Sequence, residues 1–300
     1  MDFKNIIYQK DECIAKIILN RPDILNAIGW PMMYEIDSAL TLAEKDDDIK
    51  VIVFKGNGRA FSAGYDLGDK AVAGGDIVYR MAEAKPGQEP PEKASQRIRL
   101  RLDKEWNDIM KHLFMCNKMT IAQLHGYCLA HALMMMEKCD LIIASEDCKL
   151  GYVEERLMFG GMTMSPMLLF RVGLTKALDL SITGKTIDGK EATRINLINR
   201  AVPADTLETE VDKLAQAISL YPRDGLAISK AARHTVYETL GMNQWFSIGA
   251  YLPHVLLLYM DSGPDGDSFL KDLNEKGVKA AVHEKQDLLK KLGLLDALDK

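Results

Sequence analysis

The run Val51-Ile52-Val53-Phe54 limits the fold most: it is apolar at every position and closed off by Lys50 and Lys55. A strand without polar alternation is buried on both faces, which needs layers above and below a sheet. The turn signature Lys55-Gly56-Asn57-Gly58 follows, then the small-residue stretch Ala60-Phe61-Ser62-Ala63-Gly64-Tyr65-Asp66-Leu67. A second unit repeats this logic. Residues 120–124 read as a strand, pass into His125-Gly126-Tyr127-Cys128-Leu129-Ala130-His131, and open a helix of small residues and methionines. Two strand–loop–helix units predict an α/β fold with a parallel or mixed sheet.

Other segments fit this frame. Residues 14–19 predict a strand, and Asn20-Arg21-Pro22-Asp23 a turn, because proline fixes φ. A helix is predicted over 30–45, with Met33, Ile36, Leu40 and Leu42 toward one side, and Asp46-Asp47-Asp48 as a solvated end. Residues 70–96 carry Gly74-Gly75, Pro86 and Pro90-Pro91 and read as a loop insertion. A helix resumes near Ser95 and runs to Met115, and residues 140–144 form a further strand. Beyond residue 205 the pattern is helical, over 207–220, 225–240 and 245–259, with a last helix starting near Glu284. The division expected is a core over 1–205 and a helical region over 206–300.

Composition excludes some function classes. The chain has 300 residues, 47% apolar and 27% charged, the balance of a folded protein. A net charge of −5 argues against nucleic-acid binding, which needs a basic surface to displace counterions. No N-terminal signal or apolar run of about 20 residues is present, so no membrane association and a cytoplasmic location are expected. Cys13, Cys116, Cys128, Cys139 and Cys148 include no Cys-x-x-Cys pair. They read as reduced structural thiols, with neither disulfide nor metal site expected.

Chemistry is expected at the two small-residue loops. Backbone amides at a helix start lack intrahelical partners, and the helix dipole adds positive potential there. Two amides converging from two loops could hold an oxygen that becomes negative during reaction, and small residues allow close approach. On spacing alone, each loop reads more readily as a plain turn.

The residues Phe61-Ser62-Ala63-Gly64-Tyr65-Asp66-Leu67 resemble the first oxyanion segment of the crotonase (enoyl-CoA hydratase/isomerase) family. The run 125–132, followed by Cys139-Asp140-Leu141-Ile142-Ile143-Ala144-Ser145, is similar to the second. Leu19-Asn20-Arg21-Pro22 with Leu25-Asn26-Ala27, and Leu197-Ile198-Asn199-Arg200-Ala201-Val202-Pro203, resemble further family motifs. The likeness covers residues 1 to about 235. It implies a spiral of ββα units with a C-terminal helical region for trimerisation and pocket cover. It also implies a homotrimer or a dimer of trimers, and an acyl-CoA thioester as substrate, with no further cofactor.

Carried over by position, the oxyanion amides belong to Tyr65 and His131, and Ala60, Ser62, Ala63, Gly64, Asp66, Leu67 and Ala130 form the substrate-binding surround. Ala130-His131-Ala132 stands where the family has three glycines. One expected acid aligns with Glu154, with Glu155 beside it; the other aligns with Met134, which transfers no protons. The His131 imidazole could supply acid/base chemistry near neutrality or merely stack against a neighbour. Arg97, Arg99 and Arg101 could meet phosphates, and the methionines around 134–136 and 158–167 read mainly as core. The expected activity is enoyl-CoA hydration by a lyase. Isomerisation, hydrolytic C–C cleavage of a β-keto acyl-CoA, and CoA binding without turnover are the alternatives.

Overall fold

The computed structural model describes residues 2–67, 95–157, 165–246 and 275–294, with 82, 84, 89–91 and 272. Most of the insertion expected at 70–96, and the helix expected beyond Phe246, lie outside the described residues, as do Met158, Met162 and Met164. Strands β1 (Ile6–Asp11), β2 (Ile14–Leu19), β3 (Val51–Gly56), β4 (Met119–Leu124), β6 (Leu141–Ser145) and β9 (Arg200–Val202) form one sheet, in the order β1-β2-β3-β4-β6-β9. Within this sheet, among the described residues, only the β1–β2 pair is antiparallel. The α/β class and the helical C-terminal region expected from the sequence are therefore observed.

The apolar run in β3 has the cause inferred for it. Side chains alternate across a strand, so Ile52 and Phe54 enter one core while Val51 and Val53 enter another. The first core is closed by α1 (Trp30–Lys45) and α2 (Gln96–Met115). The second is closed by α6 (Leu207–Ser219), through Leu207, Val211, Ala215 and Ile218. On α1 the buried stripe is Met32, Met33, Ile36, Ala39, Leu40 and Ala43; Leu42, expected there, lies off it and is half-buried. His112 on α2 joins the two helices, bonding Asp37 at 2.6 Å and Glu44 at 2.8 Å. These carboxylates raise its pKa to about 9.

Helix α3 spans His131–Met136, α4 Pro166–Thr183, α5 Gly189–Arg194 and α7 Arg223–Thr239. Lys230 on α7 is buried and meets Asp140 at 2.6 Å, fastening the helical region to the sheet. Removing one partner of such a pair leaves a buried charge uncompensated. The last described helix, α8, runs Val278–Lys291, starting before the expected Glu284. Its buried Ala281, Lys285 and Leu289 recur at helical spacing, and this stripe begins ahead of residue 284.

A second, short sheet was not anticipated. β5 (Tyr127–Leu129), β7 (Lys149–Gly151) and β8 (Thr186–Ile187) are ordered β5-β7-β8. Segments of two or three residues carry too little periodicity to be read from sequence.

Candidate active site

The short sheet gathers the sequence-predicted site residues. Ser62 bridges Cys128 in parallel, and Cys128 pairs in parallel with Leu150. The chains carrying Ser62, β5 and β7 thus run side by side in one direction. Tyr65, His131 and Glu154 follow just beyond these paired residues, so all three leave the sheet at the same edge.

The first loop is held by many bonds. Ser62 N–H donates to the Tyr127 carbonyl at 2.9 Å, and Leu129 N–H to the Ser62 carbonyl at 3.1 Å. The Ser62 hydroxyl donates to the Asn26 carbonyl at 2.8 Å and accepts from Gly64 N–H at 3.1 Å. Buried Asn26 donates to the carbonyls of Asn57 and Ala60, at 2.8 and 2.9 Å, and accepts from Arg21 N–H. Asp66 pairs with Arg21 at 2.6 Å. Ala60, Ser62 and Asp66 are thus buried in the loop's own bracing, while Ala63 and Leu67 are partly exposed. Tyr65 bridges Ile28 in parallel; that bridge uses the Gly64 carbonyl and the Asp66 amide, and the Tyr65 amide takes no part in it.

Gly64 is required on two counts. Its φ is +98°, and a Cβ there would stand 2.9 Å from both the Leu129 oxygen and the Ala130 methyl. The same Cβ would lie 3.6 Å from the His131 nitrogen, so the two loops meet backbone to backbone.

The second loop has no glycine at its turn. Ala130 takes φ +54° and ψ −129°, a conformation that costs an alanine about 1–3 kcal/mol. Its N–H donates to the Gly151 carbonyl at 2.7 Å. His131 opens α3, so its amide belongs to the first turn, outside the intrahelical ladder. Met134 is the one residue of α3 left part-exposed. The His131 ring stacks on Tyr65, with centroids 4.2 Å apart and planes 17° from parallel. Trp106 stands 5.1 Å from His131 and 5.5 Å from Tyr65, and Trp30 packs edge-on to Trp106 at 4.8 Å. The His131 ring is therefore stacked at the site, within the aromatic group formed by Tyr65 and Trp106.

Glu154 lies in the 3-10 turn Val153–Leu157 that follows β7, and is partly exposed. The preceding Tyr152 anchors this turn by donating its hydroxyl to the buried carboxylate of Glu137. Burial raises the Glu137 pKa, and Lys138 is pushed down to about 8 while its ammonium donates to the Met134 carbonyl at 2.6 Å. Helix α8 covers this edge: Ala281, fully buried, clusters with Leu67 of the first loop and Leu157 of the 3-10 turn.

The Tyr65 hydroxyl is held well above its usual pKa, first by burial and then by the charges of Glu154 and Asp103. Asp103, Trp106 and Trp30 escaped the sequence reading. The available signal was a lone carboxylate within the buried stripe Leu102, Trp106, Ile109, Met110 and Leu113 of α2. Arg97 and Arg101 are exposed on the same helix, and the side chains of Arg99 and Glu155 lie outside the described residues. Cys128 is buried beneath the site, and burial pushes its thiol pKa up.

A sequence model of the enoyl-CoA hydratase/isomerase family matches residues 9–248. The protein described as probable enoyl-CoA hydratase EchA8 of Mycobacterium tuberculosis is 31% identical over 240 residues, covering 80% of this chain and 84% of the relative. A mitochondrial Δ(3,5)-Δ(2,4)-dienoyl-CoA isomerase of Dictyostelium discoideum is 27% identical, over 80% of this chain and 81% of the relative. The crystal structure of an enoyl-CoA hydratase from Mycobacterium smegmatis superposes with a TM-score of 0.79 at 25% identity, covering 97% of each chain.

Proposed function

The chain belongs to the enoyl-CoA hydratase/isomerase family, and from that premise we propose that it adds water to a 2-enoyl-CoA thioester, or removes it in reverse. The amides of Tyr65 and His131 hold the thioester oxygen as it gains negative charge. Glu154 draws a proton from water while the water oxygen bonds to C3. A proton added at C2 then completes the hydrated product. The carrying observation is the shared sheet edge from which Tyr65, His131 and Glu154 emerge.

The test is incubation with crotonyl-CoA and mass measurement, with a gain of 18 mass units expected from addition of water. Glu154→Gln is expected to lower kcat about 10²–10⁴-fold. Full activity in that variant refutes the reading. Isomerisation is the second reading, favoured by Met134, which leaves α3 without an acid at its part-exposed position. Moving a double bond shifts one proton between two carbons, so one carboxylate suffices; the product then keeps the substrate's mass.

The acyl-CoA is the only small molecule this reading requires. Among the described residues, no helix is long and apolar enough to cross a membrane. A cytoplasmic location is part of the proposed reading. Leu174, Leu178 and Ile182 form an exposed apolar stripe on α4, which supports self-association into a trimer.

A further inference from the structure

We propose that Asp103 is a second proton-transfer carboxylate of this site and delivers the proton to C2. The inference rests on the hydration reading and extends it to a residue on another element.

The placement comes from α2. Asp103 is 4% exposed and stands in a stripe otherwise formed by Leu102, Trp106, Ile109, Met110 and Leu113. A carboxylate costs free energy to bury, so its place in an otherwise apolar stripe singles this position out. Trp106 lies three residues further on, hence one turn away on the same face. Its ring touches both rings at the site, Tyr65 and His131. The face of α2 that carries Asp103 is therefore the face turned to the two oxyanion residues.

Electrostatics agrees with that placement. Asp103 and Glu154 come from different elements, yet both raise the pKa of the Tyr65 hydroxyl. One phenol thus feels the charge of two acidic side chains that come from different elements.

Exposure assigns the roles. Glu154 is partly exposed and can be supplied with water, whereas Asp103 is shut off from bulk solvent. Glu154 takes a proton from water as the water oxygen bonds to C3. The C2–C3 π electrons move toward the thioester and form the enolate. A proton passes from Asp103 to C2, and the enolate returns to the thioester. Glu154 then loses its proton to solvent, and Asp103 takes one from water that enters as the product leaves. The balance is one water added, with no redox partner.

Asp103→Asn keeps the size and removes the transferable proton. It is expected to lower kcat for crotonyl-CoA hydration about 10²–10⁴-fold, with KM and thermal midpoint near those of the parent. It should also abolish deuterium exchange from D2O into C2 of butyryl-CoA, a substrate that cannot be hydrated. Asp103→Glu restores the carboxylate and is expected to recover part of both rates with a displaced pH profile. This second variant decides the matter if Asn impairs folding: an unchanged profile overturns the proposal. An Asn variant with parent-like kcat and exchange also overturns it. If Glu154→Gln is inactive in the same assays, the hydration reading survives that result. A parent protein that neither hydrates crotonyl-CoA nor exchanges C2 hydrogen overturns both.

Discussion

The two loops that meet at the site solve one geometric problem by opposite means. The first places glycine at its positive-φ position, Gly64, and surrounds it with bonds from Asn26, Ser62, Ile28 and the Arg21–Asp66 pair. The second places Ala130 at its positive-φ position and accepts the strain, held by the bond to Gly151 and by the aromatic stack over His131. The glycine loop is built to be approached, and its Ala60, Ser62 and Asp66 are buried in their own bracing. The alanine loop is built to be filled, since its methyl and imidazole occupy space that glycines leave empty.

Substitutions can break or sharpen this contrast. The largest effect is expected from Gly64→Ala, because the new methyl meets the Leu129 oxygen and the Ala130 methyl at 2.9 Å. Displacing the adjoining amides should lower kcat/KM about 10²–10³-fold, the range seen when one oxyanion donor is lost. Steady-state kinetics on crotonyl-CoA would show it, and parent-like kinetics would separate the loops functionally. Asn26→Ala comes next. It leaves the Arg21 N–H, the Asn57 carbonyl and the buried Ala60 carbonyl without this partner and should cost about 1–3 kcal/mol in chemical denaturation. A smaller loss would mean the first loop is held mainly by its backbone bonds. Ala130→Gly is the smallest and has the opposite sign. Relief of the positive φ should stabilise the fold by about 1 kcal/mol. A fall in stability would show that the methyl packed against Gly64 outweighs the strain.

Much of the fold was legible because long elements announce themselves. The predicted bounds of the strand at 14–19 and the helix at 30–45 are the observed ones. The unbroken apolar run in β3 also implied layers on both sides of the sheet, and α1 and α6 supply them. The site was half legible. Tyr65, His131 and Glu154 lie on motifs read along the chain, and the structure brings them to one edge. What joins them was not legible: β5, β7 and β8 are too short for periodicity, and their pairing is a long-range fact. Asp103 escaped for a related reason. It is distant in sequence from both loops, and a single acid in a helix reads as solvated until the helix is docked.

The aromatic stack has an optical consequence. The chain holds three tryptophans, and two of them, Trp30 and Trp106, stand in the stack at the site. Trp106 touches His131, and an imidazole beside an indole quenches its emission, more strongly when protonated. Trp245, the third, lies under the Lys138 ammonium at 5.4 Å. Two of the three indoles therefore report on the place where an acyl chain would arrive. Ligand entry becomes visible as a change in intrinsic fluorescence, with no label attached.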